Sequence, residues 1–225
     1  MIKMNIDTLV RNNVKKMSSY SSARDDFKKE NKMKLIYLDA NESPFDNGIN
    51  RYPDNKHDEL KKVVSGIKNV NINQVVFGNG TDEILDLIVR VFCNPSEDKI
   101  ITLPPTYGMY DVIAKTNGVE NIEIPLKSDF SIDINEILKL SSKKTKILFL
   151  CSPNNPTGNS FDTNDLTYLI KFFNGVVVVD EAYIDFSSKQ SLISLIEDNS
   201  NLIITQTMSK AYGMAGIRLG HGFFQ

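Results

Sequence analysis

Apolar positions along this chain recur with two different periods, and the two alternate. From residue 51 onward, compact apolar blocks at 75–77, 100–103, 122–124, 147–151, 176–179 and 202–205 read as buried strands. Between them, apolar residues three and four apart mark helices. Leu60, Val63, Val64 and Ile67 share one face, and Ile84, Leu85, Leu87, Ile88, Val91 and Phe92 make a strongly apolar one. Further helices are expected over 107–116, 132–140, 166–173 and 192–196. Helices alternating with short strands require crossover connections, so the expected fold class is α/β: a three-layer, mostly parallel sheet with helices on both faces. The chain shows no internal repeat and no low-complexity linker.

Upstream the pattern differs. Ile2, Ile6, Leu9, Val10 and Val14 fall at helical spacing and predict an amphipathic helix packed on another element. Residues 17–34 are polar and read as an arm. Residues 35–38 form a short strand candidate that runs into the polar turn Asp39-Ala-Asn-Glu-Ser-Pro-Phe45.

Composition narrows the setting. A chain of 225 residues with 41% hydrophobic residues can bury a sizeable core. Its net charge of -2 offers no general attraction to nucleic acid or to anionic membranes, so a phosphorylated ligand needs a local site. No apolar run is long enough to span a bilayer, and the first residues lack the apolar core of a secretory leader, so a cytoplasmic protein is expected. Cys93 and Cys151 adjoin apolar runs and read as buried thiols. His57 and His221 are unpaired, and neither a metal nor a base role is assigned.

In a parallel α/β sheet, chemistry sits in the loops after the carboxyl ends of the strands. Four such loops carry polar clusters: Gly78-Asn-Gly-Thr-Asp-Glu83, Ser152-Pro-Asn-Asn-Pro-Thr-Gly158, Asp180-Glu-Ala-Tyr183 and Thr207-Met-Ser-Lys210. Lys210 is the candidate nucleophile; taken alone, this segment favours a surface lysine on a loop, and the polar loops upstream change that balance. A lysine amine beside a phosphate-sized anion site is what pyridoxal phosphate chemistry needs, since the amine forms a Schiff base with the cofactor aldehyde. The turn at Gly80 leads into a helix starting near Thr81, whose unpaired N–H groups would hold a phosphate with Thr207, Ser209 and Arg218. The same turn is also consistent with a helix cap that holds no ligand. A dinucleotide fingerprint fails, because Glu83 stands where its third glycine belongs. Asp180 ends a four-valine run, where a carboxylate needs a cation, and a pyridinium N–H would serve. The magnesium-binding end of a nucleotide hydrolase offers the same Asp-Glu pattern, but no Gly-x-x-x-x-Gly-Lys-Ser/Thr loop exists in the chain. Asn155 and Tyr183 could both donate to a phenolate oxygen, and Tyr107 could lay its ring on the pyridine face.

With these residues assembled, the chain resembles the fold-type I pyridoxal phosphate aminotransferases of class I/II and looks most like the histidinol-phosphate aminotransferases. The matching segments keep their order: Tyr20-Ser-Ser-Ala-Arg24, Leu38-Asp-Ala-Asn-Glu-Ser-Pro44, Arg51-Tyr-Pro-Asp54, Gly78 to Glu83, Pro104 to Tyr110, Pro153 to Gly158, Asp180 to Tyr183 and Ser209 to Gly220. The resemblance implies that Lys210 is the Schiff-base lysine, Asp180 the partner of the ring nitrogen, and Asn155 and Tyr183 the partners of the phenolate, with Tyr107 on the ring. It implies Thr81, Asp82, Thr207, Ser209 and Arg218 around the phosphate, with Gly80 opening that turn. It also implies Tyr52 reaching the site of a second subunit in a homodimer, and Tyr20 and Asn41 near substrate. The implied reaction moves an amino group between histidinol phosphate and the 2-oxoglutarate/glutamate pair, with no metal. A threonine-phosphate decarboxylase or a non-catalytic remnant are the alternatives. Residues 1–50 would form a helix and arm belonging to a small domain, and 51–225 a large domain incomplete at its C-terminus. Arginines that hold the substrate carboxylate would lie past Gln225, so the chain is expected to transfer amines poorly. Its last residues are expected to leave the sheet without a strand and therefore prone to aggregate.

Overall fold

Every expected apolar block of the α/β region forms a strand, and a seventh joins them. The computed structural model describes residues 5–20 and 36–225. The strands are β1 (Val75–Asn79), β2 (Lys99–Thr102), β3 (Glu120–Glu123), β4 (Thr145–Cys151), β5 (Val176–Asp180), β6 (Leu202–Thr207) and β7 (Leu219–Phe223). They make one sheet in the order β1-β7-β6-β5-β4-β2-β3. Neighbours from β6 to β3 run parallel, and β7 lies antiparallel between β6 and β1.

The helices are α1 (Asn12–Lys15), α2 (Asp58–Lys68), α3 (Thr81–Phe92), α4 (Met109–Thr116), α5 (Ile134–Leu140) and α6 (Thr163–Phe172). Side chains alternate across a strand, and the four valines of β5 show why a two-faced sheet reads as a continuous apolar run. Val176 and Val178 pack with Leu85, Val89 and Ile113 from α3 and α4, whereas Val177 and Val179 pack with Val64, Ile137 and Leu169 from α2, α5 and α6. The helices therefore form a layer on each face, and the strand ends stay open for loops.

Four sequence expectations change. The segment 219–225 supplies a strand instead of leaving a gap at its place: β7 pairs with both β1 and β6, and Phe223 is fully buried. The predicted N-terminal helix is two short pieces, a 3-10 turn at Ile6–Thr8 and α1. Between them Arg11 is extended, its backbone N–H donates to Val91 O at 3.0 Å, and its Nη1 donates to Arg90 O at 2.7 Å. Carbonyls in the last turn of a helix lack intrahelical donors, and satisfying them here breaks the helical path. Ile6, Leu9 and Val10 still pack on the α3 layer, while Ile2 lies outside the described residues. Residues 36–38 form no strand: no described strand pairs with them, and Ile36 and Leu38 lie exposed. Leu35, and residues 21–34 of the polar arm, lie outside the described residues. The expected helix over 192–196 is a single 3-10 segment, Leu192–Leu195, whose first N–H, that of Leu192, donates to Glu181 Oε1 at 2.8 Å.

Candidate active site

The carboxyl ends of β4, β5 and β6 meet the turn after β1 around a cavity of about 200 Å³. Its two ends differ in chemistry.

One end is built to receive an anion. Gly80 (φ 78°, ψ 171°) turns the chain from β1 into α3, so Thr81 opens a helix whose first N–H groups have no intrahelical acceptor. Glycine suits the position because side chains rarely adopt this backbone conformation, and a Cβ would also displace the guanidinium of Arg218 from the turn. Gly220 is equally constrained: a Cβ would collide with Thr81 N and the Gly80 backbone, where β7 crosses this turn. The Gly80 N–H donates to Arg218 O at 2.6 Å, and Arg218 itself adopts a left-handed conformation (φ 55°) that returns its side chain to the turn. Arg218 Nη1 approaches Ser209 Oγ at 3.5 Å, and the Ser209 N–H donates to Thr207 Oγ1 at 3.1 Å. Thr81, Thr207, Ser209 and Arg218 thus share one rim of the cavity with the positive end of the α3 dipole. Asp82 also faces the cavity, and its Oδ1 accepts from Tyr107 Oη at 3.0 Å.

The other end holds a buried carboxylate. Asp180 is 2% exposed at the last position of β5. Its Oδ2 accepts from Tyr110 Oη at 2.8 Å and its Oδ1 from the Ala182 N–H at 3.1 Å. Burial pushes its pKa up, and these donors oppose that by favouring the anion. Tyr110 is stacked on Phe149 with ring centroids 4.8 Å apart and planes 5° off parallel. Burial, then the Asp180 charge, push the Tyr110 hydroxyl well above its usual pKa, so it remains a donor. The same two causes push the Cys151 thiol up to about 12, so it is not a nucleophile at neutral pH.

Lys210 lines the same cavity from the loop after β6, with Nζ 5.3 Å from the centroid of the Tyr183 ring. Asn155 and Tyr107 reach the cavity from two turns that Asn154 ties together. The Asn154 Nδ2 donates to Pro105 O at 2.9 Å, and its Oδ1 accepts from Thr106 Oγ1 at 2.9 Å. Gly80, Thr81, Asp82, Tyr107, Asn155, Asp180, Tyr183, Thr207, Ser209, Lys210 and Arg218 all line the same cavity. Tyr52, Tyr20 and Asn41 do not. Tyr52 is 69% and Tyr20 87% exposed, and Asn41 sits in an exposed loop where Glu42 accepts from Arg51 and from the Tyr52 N–H. Ser21 to Arg24 of the first matching segment lie outside the described residues. Sequence reasoning missed Cys151, Ala182 and above all Tyr110. The available clue was helical spacing, which sets Tyr110 three residues after Tyr107 on the same inward side. Among the described residues no cluster of His, Cys, Asp and Glu is suited to a metal ion, and no helix is long and apolar enough to cross a membrane.

Residues 25–224 match the sequence profile of the family described as aminotransferase class I and II. The chain is 56% identical over 220 residues to the histidinol-phosphate aminotransferase of Flavobacterium psychrophilum, a match covering 98% of this chain and 63% of that protein. The chain spans less than two thirds of the length of the curated relatives it matches. Its structure is similar to that of the histidinol-phosphate aminotransferase of Clostridium acetobutylicum, with TM-score 0.70, 27% identity and coverage of 77% of this chain and 52% of that one. The histidinol-phosphate aminotransferase of Sinorhizobium meliloti, solved in complex with pyridoxal-5'-phosphate, shares the fold at TM-score 0.71 and 24% identity, over 77% of this chain and 48% of that one.

Proposed function

The chain belongs to the aminotransferase class I and II family, and from that premise we propose that its cavity holds pyridoxal 5'-phosphate and serves transamination of histidinol phosphate with the 2-oxoglutarate/glutamate pair. One observation carries the reading: an exposed lysine amine, a buried carboxylate and an anion cradle open onto a single cavity of about 200 Å³. The cradle fits a phosphate, because the Arg218 guanidinium lies against the Gly80 backbone at a helix N-terminus, which puts a cation and unpaired N–H groups at one point. Asp180 fits the opposite pole, because a carboxylate buried at that depth calls for a cationic partner.

When bound, the cofactor supplies an aldehyde for an amine and a ring that accepts electrons from the substrate α carbon. The chain's residues do the rest. Thr81, Thr207, Ser209 and Arg218 bind the phosphate and set the orientation. Asp180 holds a proton on the ring nitrogen, while Asn155 and Tyr183 donate to the phenolate oxygen. Tyr107, pinned by Asp82, limits the ring from one side. Lys210 Nζ anchors the cofactor and moves the proton at the α carbon. The substrate assignment is supported by curated relatives of that name at 54–56% identity. The same reading includes a cytoplasmic homodimer in which Tyr52 reaches the neighbouring cradle, with residues 1–50 belonging to a smaller domain. The exposed Tyr52 is consistent with that role.

Mixing the protein with pyridoxal phosphate, reducing with borohydride and mapping peptides by mass spectrometry tests the assignment. The adduct is expected on Lys210. An adduct on another lysine, with Lys210 unmodified, overturns it.

A further inference from the structure

The segment joining β2 to α4 and the first turn of α4 carry one phenol each, and the two serve different carboxylates. Tyr107 donates to Asp82 beside the anion cradle, and Tyr110 donates to Asp180 at the other pole, at 2.8 Å. We propose that Tyr110 is a positioning residue that holds the Asp180 carboxylate ionised and turned toward the ring nitrogen of the cofactor. The inference rests on the pyridoxal phosphate reading given above.

Two features carry it. The first is occupancy of both carboxylate oxygens: the Ala182 N–H takes Oδ1 and the Tyr110 hydroxyl takes Oδ2, so the carboxylate plane is set by donors before any ligand arrives. Hydrogen bonds to the charged form favour it, and in a site shielded from water they offset part of the cost of burial. The second is rigidity of the Tyr110 donor. Tyr110 is 1% exposed, lies flat on Phe149, and meets Tyr107 edge-on with centroids 5.6 Å apart. Its hydroxyl cannot swing into water. The other polar group beside it, the Cys151 thiol, stays neutral and competes weakly for the proton. A purely packing role would be filled as well by phenylalanine.

The two roles separate in Tyr110→Phe, which keeps the ring and removes the donor. Without it, Asp180 becomes more basic and draws the shared proton away from the cofactor ring nitrogen. A less positive ring raises the pH at which the nearby lysine-bound nitrogen loses its proton. The visible absorption of lysine-bound pyridoxal phosphate is therefore expected to change at a pH about one unit higher in Tyr110→Phe than in the parent, with Kd for pyridoxal phosphate raised about tenfold. Thermal unfolding and borohydride mapping establish that the variant is folded and still attached at Lys210. Phe149→Leu is the packing control: it loosens the ring bed and keeps the donor, so its midpoint should stay at the parent value. Tyr110→His, which retains a ring with a donor, should shift the midpoint less than Tyr110→Phe does. If the parent takes cofactor at Lys210 and Tyr110→Phe matches it in midpoint and Kd, the Tyr110 role is refuted and the cofactor reading stands. Equal shifts in Phe149→Leu and Tyr110→Phe refute it too, by assigning the effect to packing. A parent that takes no cofactor at Lys210 overturns the cofactor reading and this inference with it.

Discussion

His221 is fully buried on β7, facing Gln206 across the β6 pair and Phe77 across the β1 pair. Among the described residues, neither of its ring nitrogens has a partner, and neither does Gln206 Oε1. Burial pushes its pKa down to about 4, and the Lys68 cation at the end of α2 adds to the effect. Lys68, which pairs with Asp185 at 4.0 Å, and the buried Glu181, which accepts from Gln206 Nε2 at 2.8 Å, are charged groups on this side. The folded state thus keeps the imidazole neutral, while the unfolded chain takes a proton below pH 6.5. Stability is therefore lost as pH falls from 6.5 toward about 4, at up to about 1.4 kcal/mol per pH unit. Asp180 and Glu181 act with the opposite sign. Burial raises their pKa values, so the folded state binds their protons more readily, and their contribution falls as pH rises from the ordinary carboxylate range toward the raised folded-state values. The difference between the parent and His221→Gln isolates the histidine: between pH 7 and 5 the parent should lose more stability in urea unfolding than the variant. Parallel pH profiles for the two would refute the account.

Helix α3 joins the site to the core. Its N-terminus opens onto the anion cradle, and its inward face buries Ile84, Leu85, Ile88, Val89 and Phe92, while Leu87 remains exposed. Its C-terminal carbonyls hold the N-terminal segment through Arg11. Leu85 is 0% exposed, so Leu85→Ala should cost about 2–5 kcal/mol as a cavity that the surrounding layer only partly fills. The first turn of α3 is shaped by Gly80, Arg218 and Gly220 rather than by Leu85. Affinity for pyridoxal phosphate should therefore stay within about twofold under native conditions, even as the chemical midpoint falls. A loss below about 1 kcal/mol would show that α3 is not packed as described.

For the molecule as a whole, the proposed transamination raises the question of what would bind a substrate carboxylate. A planar arginine fork suits that task best. Among the described residues, Arg11 is engaged on the carbonyls of α3, Arg51 on Glu42 and Arg90 on Asp86, which leaves Arg218 at the cavity, already at its anion end. The chain is therefore expected to capture pyridoxal phosphate yet to transfer amine from histidinol phosphate to 2-oxoglutarate at least about 100-fold more slowly than a version extended with the C-terminal portion of a relative. Side-by-side turnover measurements decide this, and comparable rates would show that the residues described here suffice for substrate binding.

The repeat of apolar blocks and helical faces was enough to establish the α/β class and six of the strands, because local periodicity reports how each segment is buried. The rule that loops after parallel strands carry chemistry brought forward Lys210, Asp180, Asn155 and Tyr183 before any strand order was known. Strand β7 escaped that reading. Gly220 and Gly222 replace the apolar residues of its α3-facing side, because α3 and its leading turn come too close to leave room for side chains. Residues 36–38 misled in the other direction, since an apolar run becomes a strand only if a neighbouring ladder accepts its backbone. The bond from Tyr110 to Asp180 spans two elements that are distant in the chain and was likewise decided by the tertiary structure. Local sequence records period and burial, whereas the identity of a partner across the sheet, and the room left for it, depend on which strands and helices come to lie side by side.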